Sequence, residues 1–192
     1  MEMENNFEKV LKNLPDGIEL VAVSKTKPNE LKWHMIGHLQ SNKVKYIAPF
    51  VELIHAVDSI KLLKVINKEA VKNKRVINYL FQMHVATESA KFGMSCNEIA
   101  DIIKSDEFLS LKNVNLTGLM AMATNTTNEQ QVTNEFEVVR NCFNRLKADF
   151  FKDKADFKEL SIGMSQDYKI AVQAGSTMVR IGSILFGARD NK

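Results

Sequence analysis

The sequence predicts an α/β fold: a (β/α)8, TIM-barrel-like architecture lacking about one βα unit after its first strand. Three observations carry that expectation. Apolar, β-branched runs alternate with stretches of helical periodicity, which requires parallel strands with helices outside, in a doubly wound sheet or a barrel. Residues 76–85 are too apolar for a strand with one solvated face, so both faces are covered. Seven strands can be counted in 192 residues, whereas a complete (β/α)8 barrel usually takes ~250 residues with ~200 as a lower bound. Neither G-x-G-x-x-G nor a P-loop is present to favour a dinucleotide or nucleotide fold.

The elements follow in order. Phe7, Val10, Leu11 and Leu14 form one face of a short helix closed by Pro15-Asp16-Gly17. A strand over 18–24 comes next, then a second over 33–36 that ends at Gly37. Only residues 29–32 separate Pro28 from that second strand, too few for the helical crossover that makes two strands parallel neighbours. A helix over 39–48 is ended by Pro49, a strand spans 52–56, and a helix over 58–73 is capped by Asp58 or Ser59. After the strand at 76–85, Ser95 and Glu98 make a capping box before Ile99, Ile102 and Ile103. A strand at 114–120 precedes a long helix striped by Val132, Phe136, Val139, Phe143 and Leu146. Residues 157–161 form a strand, 166–174 a helix stopped by Gly175, and 178–181 the last strand. One domain over 1–192 is expected, with no internal repeat or linker.

Composition narrows the partners. The 26 basic and 23 acidic residues are scattered, without an arginine-rich or aromatic-interleaved stripe, so nothing supports nucleic-acid binding. The N-terminus is acidic and polar, and no run approaches the ~20 apolar residues of a membrane span, so a cytoplasmic protein is expected. Cys96 and Cys142 are far apart and lack metal-ligand spacing, which fits reduced thiols. His34 and His38 straddle a strand end without a third ligand at zinc spacing, which argues against a metal site.

Chemistry concentrates at strand ends. The run VAVSKTKP carries Lys25 to the mouth of whatever the first strand is buried in. It is either a solvated strand-end lysine or an amine whose pKa a desolvated site lowers toward Schiff-base formation. Barrels commonly bind a ligand's phosphate in the loops after their last two strands. Here those loops are Ser161-Ile162-Gly163-Met164-Ser165 and Arg180-Ile181-Gly182-Ser183, small and polar, though tight strand-to-helix turns use the same residues. Arg180 either pairs with an acid as a structural cation or faces the ring nitrogen of a pyridine cofactor.

Taken together, VAVSKTKP, WHMIGHLQSNK, GLMAMAT, LSIGMSQD and AGSTMVRIGSILFGARD closely resemble the pyridoxal 5′-phosphate homeostasis protein family, single-domain relatives of the N-terminal barrel of alanine racemase. The resemblance covers nearly the whole chain from residue 20. It implies pyridoxal 5′-phosphate (PLP) held by Lys25 as an internal aldimine, with Arg180 facing the pyridine nitrogen. Ser161, Gly182 and Ser183 would then bind the phosphate, Met164 would lend a backbone amide, and Asn42 and Met120 would line the pocket. Members of the family normally carry a helix, a second strand with Gly-Glu-Asn-Tyr and another helix where this chain has 29–32, a loss on the order of thirty residues. An open edge at that gap would favour a monomer or weak self-association. The function implied is PLP carriage, buffering or delivery to PLP-requiring apo-enzymes, without catalysis of its own. The alternatives are a PLP-dependent racemase or lyase, for which no second base is evident, and a lysine aldolase, for which no strand mouth offers a carboxylate.

Overall fold

The computed structural model describes residues 2–23, 31–86 and 92–187, with side chains from residue 6 onward. Helix α1 (Glu2–Lys12) leads to β1 (Glu19–Ala22) and β2 (Trp33–Met35). A 3-10 turn at Ser41–Lys43 runs into α2 (Val44–Ile47), followed by β3 (Val51–Val57), α3 (Ile60–Lys72) and β4 (Ile77–Met83). Then come α4 (Cys96–Lys104), α5 (Asp106–Leu109), β5 (Val114–Ala121), α6 (Glu129–Phe150), β6 (Glu159–Met164), α7 (Tyr168–Gln173), β7 (Met178–Ile181) and α8 (Ser183–Phe186).

The described strands form one sheet of seven in the order β1-β7-β6-β5-β4-β3-β2, with every pairing parallel. It curls into a nearly closed barrel, so the expectation of a barrel short of one unit is met. The first strand joins the last through Glu19↔Met178 to Ala22↔Ile181, while β1 and β2 stand at opposite ends of the sheet order. A cleft of about 470 Å³ lies along that seam, lined by Leu20, Val21, Leu31, Trp33, Phe7 and Phe186 among others. This is where the missing βα unit would stand.

Alternation along the strands sorts side chains into two layers. Leu53, Ala56, Leu80, Met120 and Met178 fill the barrel interior, joined by Val21. The other face of the strands packs against helices in the larger core, where Ile54, Tyr79, Phe81, Leu119, Leu160 and Ile162 meet Leu63, Ile66, Phe136, Val139 and Leu146. A satellite cluster of Val10, Tyr168, Val179, Ile181 and Leu185 fastens α1 and α8 outside β1 and β7, with Phe7 edge-on to Phe186 at 6.0 Å.

Local signals set most boundaries. Ser95 accepts from the Glu98 amide at 3.2 Å while Glu98 accepts from the Ser95 amide at 2.7 Å, the expected capping box on α4. Of the two cap candidates before α3, Ser59 caps it, accepting from the Leu62 amide. Its hydroxyl in turn donates to Asp58. The helix expected over 39–48 divides into the 3-10 turn and the short α2. Strand β6 begins two residues later than the periodicity suggests and runs on to Met164. The register against β7 slips between Ser161↔Met178 and Met164↔Arg180. Gly163 sits in that slip at φ +93°, where a Cβ would lie 2.5 Å from the Ala171 Cβ, so only glycine fits.

The reading of Cys96 and Cys142 as separate reduced thiols is corrected. The two form a disulfide between α4 and α6, with Cα atoms 5.8 Å apart. Their separation of 46 residues says nothing of distance once both helices cover neighbouring strands. No helix among the described residues is long and apolar enough to cross a membrane.

Candidate functional site

Strand β7, MVRI, turns Met178 and Arg180 into the barrel and Val179 and Ile181 outward to the satellite cluster. A guanidinium buried there costs several kcal/mol unless its donors are met. Arg180 is 4% exposed and donates from Nη1 to the Ser161 carbonyl at 2.6 Å and to Ser161 Oγ at 2.8 Å, and from Nη2 to the Ala121 carbonyl at 2.9 Å. Burial lowers its pKa to about 10, with nearby Asp167 opposing the shift, so it stays charged at neutral pH. Among the described residues these bonds use three of its five N–H groups, leaving Nε and one Nη2 proton for a further acceptor.

Behind Arg180 a polar chain crosses the barrel. Ser161 Oγ is 2.9 Å from His55 Nδ1, and His55 Nε2 is 3.1 Å from His34 Nδ1. His34 Nε2 lies 3.9 Å from Glu19 Oε1, reaching across the seam from β2 to β1. Burial holds both imidazoles below their ordinary pKa. His55 is shifted furthest, with the charges of Arg180 and His34 adding to the effect. At His34, Glu19 and Glu52 partly offset burial.

Above Arg180, where β6 and β7 end, the backbone turns into small polar residues. The Gly182 amide donates to Ser165 Oγ at 3.3 Å, and the exposed Ser183 follows as the first residue of α8. A Cβ on Gly182 would lie 3.2 Å from that of Val23, so the end of β1 packs directly on this turn. The loop after β5 is tied down by the buried Glu135, which accepts from the Thr124 amide at 2.7 Å and its hydroxyl at 2.6 Å.

The structure therefore brings Arg180, Ser161 and Met120 together inside the barrel, Met120 lying opposite Ser161 in register. It gathers Gly182 and Ser183 at the mouth. Two expectations change. Ser161 does not sit with Gly182 and Ser183: its hydroxyl is committed to Arg180 and His55, and Ser165 is the serine that meets Gly182. The Met164 amide is already donated to Asp167 Oδ1 at 2.5 Å. Burial raises the Asp167 pKa, against the pull of that amide and of Arg180. Asn42 lies exposed in the 3-10 turn after β2, and no described hydrogen bond ties it to the others. Lys25 lies outside the described residues, two positions beyond Val23. Sequence reasoning missed His55 and Asp167, weighed His34 only as a metal ligand and gave Ser165 no role beyond its loop, although the alternation of WHM and LIHAV would have turned both histidines inward.

The donor set fits PLP. An arginine that cannot give up its charge at neutral pH suits a neutral ring nitrogen as acceptor. At the Gly182 turn the Ser165 hydroxyl, which accepts from the Gly182 amide, keeps its own proton for a phosphate, and the exposed Ser183 follows in the chain.

Comparison with known proteins gives the family. A family model described as alanine racemase, N-terminal domain, matches residues 19–190. The pyridoxal phosphate homeostasis protein of Pasteurella multocida is 35% identical over 175 residues, covering 91% of this chain and 73% of that protein. Its namesake from Aquifex aeolicus is 36% identical over 163 residues, covering 85% and 69%. Among solved structures, PipY of Synechococcus elongatus with PLP bound superposes with a TM-score of 0.85 at 24% identity, over 97% of this chain and 100% of that one.

Proposed function

The chain belongs to the alanine racemase N-terminal domain family, and from that premise we propose that it binds PLP and serves PLP homeostasis as a carrier or buffer. The observation that carries the reading is Arg180: a fully enclosed guanidinium, pinned by Ser161 and Ala121, with donors left over at the end of the last strand. Relatives named for pyridoxal phosphate homeostasis, and PLP bound in PipY, support the identity of the ligand.

When bound, PLP supplies an aldehyde that condenses with amines and a ring that withdraws electrons from what is attached to it. The residues of this chain restrain the second property. Arg180 would donate to the ring nitrogen and keep its own proton, which would leave the ring unprotonated and weakly electron-withdrawing. Gly182, Ser165 and Ser183 would hold the phosphate at the mouth. Met120 gives an apolar floor. Lys25 supplies the amine that retains the cofactor. Carriage suits such a site better than turnover. The reading extends to a cytoplasmic location and to PLP-requiring apo-enzymes as recipients.

The test is chemical. The protein is incubated with PLP and reduced with borohydride, and its peptides are mapped by mass spectrometry. The pyridoxyl label is expected on Lys25, and on no lysine in an Arg180→Met variant assayed at limiting PLP. A label spread over surface lysines, or none, overturns the assignment.

A further inference from the structure

We propose that Ser161, His55 and His34 are positioning residues, forming a one-way hydrogen-bond relay by which proton uptake at the β1–β2 cleft is transmitted to Arg180. The direction follows from counting protons. Arg180 can only donate, so Ser161 Oγ accepts from it at 2.8 Å. The serine proton then has His55 Nδ1 as its acceptor at 2.9 Å, so a neutral His55 carries its own proton on Nε2. That proton points to His34 Nδ1 at 3.1 Å, which leaves the His34 proton on Nε2, facing Glu19 at 3.9 Å. The opposite order leaves the serine proton without an acceptor among the described contacts.

Burial and geometry make the chain responsive at one end only. Ser161 and His55 are fully enclosed, whereas His34 lines the cleft beside Trp33 and Glu19, with 7% of its side chain exposed. The charged and titratable groups facing His34 are Glu19 on β1, Glu52 on β3, Glu159 on β6, Lys32 beside it and His55; those facing His55 are His34 and Arg180. The three carboxylates favour uptake at His34, and Arg180 opposes it at His55. A proton added to His34 Nδ1 faces the N–H of His55. His55, gaining no net proton, then exchanges its Nε2 proton for one on Nδ1 through solvent admitted at the cleft, so that it presents its Nε2 lone pair to His34 and donates from Nδ1 to Ser161. The serine now accepts from both sides; His55 stays neutral and the added charge stays on His34, so what reaches the guanidinium is the reversed dipole of the chain. In an eight-stranded barrel the cleft would be filled; here the lost unit gives this interior chain an outlet to solvent.

The consequence for the cofactor rests on the PLP reading above; the relay itself does not. Two measurements separate them. Long-range ¹H–¹⁵N spectra of histidine-labelled protein without cofactor are expected to show His34 and His55 as Nε2–H tautomers, and an Nδ1–H tautomer at either overturns the relay. PLP affinity is then followed by absorbance from neutral pH into the acid range for wild type and His34→Gln, whose amide oxygen accepts from His55 but does not titrate. Wild type is expected to change affinity by about fivefold more than the variant, at the low end of site-to-site coupling. Equal pH profiles overturn the transmission to Arg180. Absence of PLP binding in wild type, with both tautomers as expected, overturns the function reading and leaves the relay standing.

Discussion

Two buried serines allow the polar chain to be weighed against an ordinary packing effect. Ser161 is 0% exposed and Ser176 is 2% exposed, so alanine removes the same atom from equally enclosed positions. Their partners differ. The Ser176 hydroxyl has one proton and three carbonyls within reach, those of Leu160, Ile162 and Met178, and Leu160 also accepts from the Thr177 amide. Ser176→Ala therefore loses one neutral hydrogen bond, about 1 kcal/mol. Ser161→Ala loses a bond to a charged donor, about 1.5–3 kcal/mol, and leaves His55 Nδ1 a buried acceptor without its donor, about 1–3 kcal/mol more. Relief from burying a hydroxyl returns about 1 kcal/mol. Arg180 keeps its bonds to the Ser161 and Ala121 carbonyls, which limits the damage. The expected net cost is about 2–4 kcal/mol, two to four times that of Ser176→Ala. Urea unfolding measures both, with stability read from the midpoint at unchanged slope. A Ser161→Ala cost no larger than that of Ser176→Ala would refute the claim that this hydroxyl joins Arg180 to His55.

Two further predictions concern stability. Burial holds the native pKa of His34 and His55 below the unfolded ~6.5, so in mildly acid solution the unfolded chain binds protons that the native state refuses. Stability is then full above ~6.5 and falls as the pH drops toward ~5. Asp167, with its raised pKa, acts in the opposite sense. Thermal melts across that pH range should show a falling Tm, and a level or rising Tm would contradict the burial of the two imidazoles. Reduction of Cys96–Cys142 opens a loop of 46 residues, worth about 4 kcal/mol of denatured-state entropy. Melts with and without a phosphine reductant should differ by roughly 8–16 °C, and a difference under about 2 °C would show that the pair contributes no cross-link.

What the sequence revealed was what local rules decide. MVRI was bounded correctly because Ser176-Thr177 and Gly182 punctuate it, and the Ser95–Glu98 box was legible because both partners lie within one turn. The missing unit was visible as a linker too short to cross over, and the structure has β1 and β2 apart at that point. What escaped depends on register. The irregular step at Gly163 breaks the count of two along β6, so sequence alternation could not tell that Ser161 faces Arg180 while Ser165 reaches Gly182. His34 and His55 meet only because β2 and β3 pair with their own shift between Trp33 and His34. The cysteines were misread for a related reason: helices from distant parts of the chain become neighbours only when their strands do.

The seam also changes the order in which the molecule can be built. In a complete barrel the first strand would have a partner close behind it in the chain. Here the only strand paired with β1 among the described residues is β7, at the far end of the sequence, and α1 rests on α8 beyond it. Closing so long a loop is slow, and every contact that rewards it comes late. During synthesis the strands from β2 to β6 can zip in succession as they emerge, while the α1–β1 segment waits unpaired until the last strand is made. The α1–β1 segment and the β7–α8 segment thus depend on one another for their packing. Because β7 carries Arg180 and, among the described strands, pairs only with β1 and β6, the proposed PLP site would be assembled only at that final step.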